Sequence, residues 1–248
     1  MKDSGAIVWE GPSPYDGSPI VMIVTGMTGK ASANRKTGDM VQTWILRSDV
    51  SPMDAIRAGS DSAICGECPL RGSMIEGKRV GRACYVNVGQ APGSVWRKYA
   101  RGGYPRMTPA QVSKLIAGKG IRLGAYGDPA MVPLRVLTTL TAHARMWTGY
   151  THQWRTVSKG YARLLMASAD SVEDRRQARA RGYRSFYVVP VTSDLSDIEG
   201  AMECAATRAR APKTCVECGA CAGTRQGATP NAVDVVILAH GAGAKHVG

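Results

Sequence analysis

The residues of this chain best placed to do chemistry are its seven cysteines, which fall in two tight groups. Cys65, Cys68 and Cys84 lie in the first third of 248 residues, and Cys204, Cys215, Cys218 and Cys221 lie near the other end. Within them stand C-G-E-C-P (65–69) and C-V-E-C-G-A-C (215–221). Cysteines recruited as small core residues do not gather at two-residue gaps. Thiols clustered at these gaps bind metal, form disulfides or carry out redox chemistry. Seven cannot pair completely. The start, Met1-Lys2-Asp3-Ser4-Gly5, has no apolar signal region, and no run approaches the ~18 apolar residues of a membrane span. The expected compartment is therefore the cytoplasm, where thiols stay reduced and metal is favoured over structural disulfides.

In the C-terminal group, three cysteines follow one another at two-residue gaps. A tetrahedral zinc ion usually takes two ligands from one C-x2-C knuckle and the others from elsewhere. Three consecutive ligands wrap more easily around a larger object, and C-x2-C-x2-C is the spacing of ferredoxin-type cluster loops. Gly219, Ala220, Ala222 and Gly223 are small, as a loop hugging a cluster requires, and Cys204 supplies a fourth thiolate. The expectation is a [4Fe–4S] cluster, with an all-thiolate zinc site as the alternative. The N-terminal group is one ligand short. Three thiolates leave a fourth position for His, a carboxylate, substrate or water, where a metal can act as a Lewis acid or bind substrate. Cys68-Pro69 repeats a dipeptide common beside iron–sulfur ligands. A zinc staple for the Gly-rich loop, or one joint site for both groups, also fits the spacing.

Further polar residues are expected where strands end. Ile121–Tyr126 is followed by Gly127-Asp128, Met146–Thr148 by a segment containing His152, Leu164–Ala167 by Ser168-Ala169-Asp170, and Val233–Ala239 by His240. Parallel α/β folds bind ligands at the carboxyl ends of their strands. Asp128, His152 and Asp170 are thus candidate substrate contacts. Asp128 and Ser171 also read as helix caps, and His240 as a residue closing the last strand. His152 stands among Tyr150, Gln153, Trp154 and Arg155, large side chains that are costly to order without a contact. His143 reads as a surface residue within a helix and His246 as part of a Gly-rich tail.

These residues must be positioned by a fold of class α/β. Strands alternate with helices from residue 93 onward, so a mostly parallel sheet or a partial (β/α) barrel is expected. Before it, Ile20–Thr25 and Val41–Arg47 read as an antiparallel pair, and residues 1–19 as an irregular arm. Ser51-Pro52, Thr108-Pro109 with Gln111, Asp128-Pro129 and Ser171 each open a helix. The helix from Asp128 is expected to run toward His143. The organisation expected is an N-terminal β segment with a short helix (1–60) and an α/β core (61–248) carrying the cysteine loops, together one compact unit. Formal charge is +13, with basic residues recurring in Arg71–Arg82, Arg97–Arg106, Arg175–Arg184 and Arg208–Lys213. Such an excess attracts polyanions, so nucleic acid or a phosphorylated small molecule is the expected partner, and no membrane is.

C-G-E-C-P-L-R-G (65–72), A-C-Y-V-N-V-G-Q (83–90) and S-V-W-R-K-Y (94–99) resemble a poorly characterised family of cysteine-rich proteins of tailed phages and mobile elements. R-L-G-A-Y-G-D-P (122–129), T-G-Y-T-H-Q-W (148–154), M-A-S-A-D-S (166–171) and the C-terminal cysteine loop extend the likeness over most of the chain. The resemblance implies a bacteriophage protein acting in a bacterial cytoplasm and brings no settled activity. More distantly, the strand–helix order with early cysteines is similar to the partial barrel of radical S-adenosylmethionine enzymes. There three cysteines hold a [4Fe–4S] cluster, the part Cys65, Cys68 and Cys84 would play. The chain lacks that family's C-x3-C-x2-C triplet, and its N-terminal strand pair is foreign to it.

Two readings follow. One is an iron–sulfur protein with redox or radical chemistry on a nucleotide or nucleic acid. The other is a zinc-stabilised, non-catalytic nucleic-acid-binding protein using Trp96, Tyr99, Tyr104 and Trp154.

Overall fold

A computed structural model describes residues 4–29, 34–224 and 233–247. Its first strand, β1 (Gly5–Pro12), occupies what reads in sequence as an irregular arm. Gly, Pro and Ser dominate that arm, but Ala6-Ile7-Val8 is a buried apolar run. It pairs antiparallel with β2 (Pro19–Thr25), which pairs antiparallel with β3 (Met40–Arg47), as expected. Helix α1 (Pro52–Ala58) starts where Ser51 Oγ accepts from Asp54 N and stops at Gly59, whose φ of 77° suits glycine. The short helix α2 (Ser62–Cys65) and the exposed hairpin β4 (Ser73–Ile75) and β5 (Lys78–Val80) carry no hydrophobic period by which sequence could announce them. Helix α3 (Ala91–Ala100) and helix α4 (Pro109–Leu115), with its Thr108–Gln111 capping box, lead to β6 (Gly120–Tyr126).

The expected helix from Asp128 to His143 is broken. Asp128 caps a single 3-10 turn (Pro129–Met131), and Pro133 forces Val132 into an extended conformation. Helix α5 (Leu134–Leu140) begins only after that proline, which leaves His143 in a turn, exposed, with Nδ1 3.1 Å from Ser113 Oγ. Then come β7 (Met146–Thr151), β8 (Met166–Ala169), α6 (Val172–Ala180) capped by Ser171, β9 (Ser185–Val189), β10 (Ala201–Glu203), α7 (Cys215–Cys218) and β11 (Asp234–Leu238).

Nine strands form one sheet in the order β1-β2-β3-β6-β7-β8-β9-β11-β10. From β3 onward every pairing is parallel. The strands β3, β6, β7, β8 and β9 succeed one another in chain order, so each crossover steps the same way along the sheet. After β9 the direction reverses once, since β10 lies at the edge and β11 returns between it and β9. Nothing breaks at residue 60: β3 pairs with β6, and one apolar cluster runs from Ala6 to Ala222. In the first half of β6 the faces divide by alternation: Ile121 and Leu123 join Val112, Ile116, Leu137 and Leu140 in the core beneath α4 and α5, while Arg122 turns the other way. At Gly124, with φ 72°, the register with β3 shifts and the alternation ends. Among the described residues no helix is long and apolar enough to cross a membrane.

Candidate functional site

The face opposite the helices lines a cavity of about 330 Å³. Residues of successive strands reach it: Arg122 and the consecutive Gly124, Ala125 and Tyr126 from β6, Thr148 and Tyr150 from β7, Ser168 from β8, Phe186 and Val188 from β9, Ile237 from β11. Both cysteine groups open on this one cavity, through Cys65, Cys68 and Cys84 and through Cys204 and Cys215. Cys204, Cys215, Cys218 and Cys221 together ring an adjoining hollow of about 20 Å³. All seven are free thiols.

The N-terminal group is built by a loop folded back on itself. Cys68 N donates to Cys65 O at 3.2 Å, and Cys84 N donates to Leu70 O at 2.8 Å, which returns the distant third cysteine to the first two. Gly66 makes the turn with φ 53°, and a Cβ there would stand 2.3 Å from Gln153 Oε1. The Gln153 amide donates to Cys65 O, so the loop is buttoned to the end of β7. A buried charge cluster braces its other side. Asp61 accepts from Arg71 at 2.7 Å and from Arg79 at 2.6 Å, and both guanidiniums also hold backbone carbonyls at Gly59, Gly66, Ile56 and Gly72. Arg82 holds the carbonyls of Cys84 and Val86. Burial and the neighbouring Cys68 and Cys84 push the Cys65 thiol well above its ordinary pKa, and burial pushes Cys84 up as well.

The strand ends bring Asp128, His152 and Asp170 together. Asp128 lines the cavity, and its carboxylate accepts from Ala130 N and His152 N, each at 2.9 Å, which fixes the start of the His152 loop. Burial raises its pKa against these hydrogen bonds. His152 faces the cavity beside Cys68, whereas Asp170 stands behind it and is not among the cavity-lining residues. Asp170 Oδ2 lies 3.2 Å from His152 Nε2 but out of line with the ring N–H, so Nε2 has a charged neighbour and no hydrogen-bond partner. Burial alone would lower the imidazole pKa; Cys68 and Asp170 outweigh it and hold it well above the usual value. Tyr126 Oη, next to Cys65 and Cys84, is likewise buried without a partner. The positions of Arg122 and Tyr126 carry a signal that sequence reasoning passed over. A parallel strand buried on both faces reads as continuous apolar residues, and Arg122 interrupts β6.

The C-terminal group sits on α7 and the turn after it. Thr214 and Glu217 form a capping box, Cys215 N donates to Lys36 O, and Val216 N donates to Thr37 O. Gly149 N donates to Cys221 O, which ties the far end to β7. Arg184 clamps the loop through the carbonyls of Ala220, Gly223 and Val233. Burial, with the other thiols of the group, pushes Cys215 up to about 11; burial pushes Cys221 up to about 12, where Tyr150 partly opposes it. His240 stacks on Tyr85 with ring centroids 5.2 Å apart, and its Nδ1 lies 3.3 Å from Leu238 O, the strand-closing contact expected of it.

Several residues of the basic runs are engaged within the fold. Arg71, Arg79, Arg82 and Arg184 hold carbonyls, and Arg175 and Arg179 share Asp234. The aromatics of the nucleic-acid reading do not form a stacking platform. Trp154 is fully buried with its indole N–H on Ser168 O, Tyr104 is buried, Trp96 donates to Arg47 O, and Tyr99 donates to Glu10.

Among the described residues, no three His, Cys, Asp or Glu side chains are arranged to hold a metal ion. Thiolates are nonetheless donors that both a single zinc ion and an iron–sulfur cluster take. Burial, with the neighbouring thiols adding to it, raises the pKa of Cys65 and Cys84 in one group and of Cys215 and Cys221 in the other, which a bound cation would reverse. Two orphaned buried atoms, Tyr126 Oη and His152 Nε2, flank the three-cysteine group, and buried polar atoms rarely lack a partner. No family model, curated protein or solved structure matches the chain.

Proposed function

We propose that this protein binds iron–sulfur clusters at its two cysteine groups and carries out redox-type chemistry on a small molecule held in the cavity between them, in a bacterial cytoplasm. One observation carries the reading: cysteines far apart in sequence converge as two groups on a single cavity. A cysteine staple built only for stability has no reason to face a cavity. Cys204, Cys215, Cys218 and Cys221 form the complete ligand set. Cys65, Cys68 and Cys84 form the incomplete one, whose fourth position faces the cavity. A cluster bound there would supply one-electron chemistry or an open iron. The chain's own residues do the rest. Asp128 fixes the His152 loop through two backbone amides, His152 and Tyr126 offer hydrogen bonds toward the three thiolates, and the strand face shapes the space for substrate.

The cavity volume lies at the lower end of the ~300–1,000 Å³ range of small-molecule sites, so it supports a nucleotide-sized molecule and not a polymer within it. A second reading, zinc at the C-terminal group, draws on the small hollow there, about 20 Å³, since one ion needs less room than a cubane. The test is anaerobic purification followed by metal analysis and visible spectroscopy. A brown protein with about eight irons per chain is expected for two cubanes; colourless protein with stoichiometric zinc and no iron would overturn the proposal.

A further inference from the structure

We infer that the cavity is a binding site for a small anionic molecule whose carboxylate or phosphate pairs with Arg122. The argument starts from where this arginine stands. It projects from the middle of β6 into the cavity, which Gly124, Ala125 and Tyr126 of the same strand also line. Its Nη2 donates to Tyr85 Oη at 2.6 Å, and no carboxylate among the described residues forms an ion pair with it. The arginines beside the cysteine loops differ sharply, since Arg71 and Arg79 share Asp61 and Arg175 and Arg179 share Asp234. A chain that pairs or clamps its structural guanidiniums so consistently leaves this one with a neutral phenol.

The rest of the lining points the same way. Lys36 adds a second cation at the cavity wall. Among the described residues Asp128 is the only carboxylate in the lining, and its two oxygens accept from the amides of Ala130 and His152. The Cys215 thiol is a neighbour that would carry a negative charge when ionised, and a half-buried guanidinium with no carboxylate partner is costly; a bidentate oxyanion restores what burial removes. Tyr150 and Phe186, both in the cavity lining, meet at a tilt with centroids 4.3 Å apart, and Phe186 is the chain's single phenylalanine. The site therefore suits a molecule with an anionic end and a flat apolar body. The inference shares its cavity with the function proposed above but does not require iron.

The test is calorimetric titration of the anaerobically purified full-length protein with adenosine 5′-monophosphate, with phenylacetate, and with adenosine as the uncharged control. Iron content is measured on every sample, so failure of metal loading and failure of anion binding are read separately. One of the two anions should bind at least about tenfold more tightly than adenosine, and which one does so identifies phosphate or carboxylate as the preferred end. Arg122→Gln should weaken that anion by about 10- to 100-fold with iron content unchanged. Arg122→Lys keeps the charge without the fork and should give a smaller loss, which covers the case where the glutamine variant does not fold. Equal binding of adenosine and both anions would overturn the inference, as would an Arg122→Gln protein of undiminished affinity. Loss of iron together with affinity would overturn it too, because Arg122 would then be compensating cluster charge.

Discussion

Asp61 should be among the most sensitive positions in the protein, though it touches neither a cysteine thiol nor the cavity. Its side chain is 4% exposed, and one oxygen, Oδ1, receives both Arg71 and Arg79, themselves 15% and 9% exposed. Asp61→Asn keeps the size and an acceptor and removes only the charge. Two guanidiniums then remain buried without a counter-ion. Breaking a buried pair typically costs about 3–5 kcal/mol. The two pairs share one carboxylate, and both arginines keep their bonds to the carbonyls of Gly59, Gly66, Ile56 and Gly72. The low end, about 3 kcal/mol, is therefore expected. With a urea m value of about 2–3 kcal/mol/M, that lowers the unfolding midpoint by roughly 1–1.5 M. Hydrogen exchange should quicken first across residues 59–84. A cost below about 1 kcal/mol, the range of exposed ion pairs, would show that this cluster does not brace the loop.

Other positions test the remaining supports. Gly66→Ala places a Cβ 2.3 Å from Gln153 Oε1 at a φ of 53° and should cost about 1–3 kcal/mol in the same denaturation assay. Trp154→Ala should cost about 3–5 kcal/mol because the side chain is wholly buried, and any loss of nucleic-acid affinity should vanish once the folded fraction is corrected for. His240 is held below its usual pKa by burial and by Lys36. Its folded pKa is depressed, so its contribution to stability is complete above the unfolded value near 6.5 and is lost as pH falls below it. His240→Gln should flatten that part of the stability profile between pH 7 and 5.

Much of this framework is legible in the chain, and what is not fails for identifiable reasons. The caps at Ser51, Thr108 and Ser171 each mark a real helix start because a side-chain oxygen next to helix-forming residues is a local signal. The strands from 120 to 189 follow from short apolar runs bounded by Gly and polar residues, likewise a local signal. β1 escapes because Gly5 and Pro12 frame only a few apolar residues, and the strand is stabilised by pairing with β2, a partner no local window contains. The hairpin of β4 and β5 escapes because both strands are exposed. The roles of the arginines are the least legible of all. A guanidinium that holds a backbone carbonyl and one that awaits a phosphate are the same letter, and only the acids and carbonyls that folding delivers tell them apart. Asp128 shows the same limit: a strand-end carboxylate in sequence, it both lines the cavity and accepts from two backbone amides that no local window pairs with it.

The bracing of the two cysteine groups leads to a last prediction. The N-terminal loop is held by Asp61, Arg71, Arg79, Arg82 and Gln153. The C-terminal loop is held by Arg184, by the capping box of α7 and by bonds to Lys36, Thr37 and Gly149. No bracing residue is common to both; what they share is the cavity and the sheet beneath it. Loading of one group should therefore not require loading of the other. Cys84→Ala should lose about half the metal and keep the C-terminal share, and Cys218→Ala or Arg184→Met should do the reverse. Element analysis with visible spectra on the same samples reads both shares and tells iron from zinc in each. If either cysteine variant lost all its metal while remaining folded, the two groups would be parts of one site, and the cavity between them could not be the place where a substrate sits.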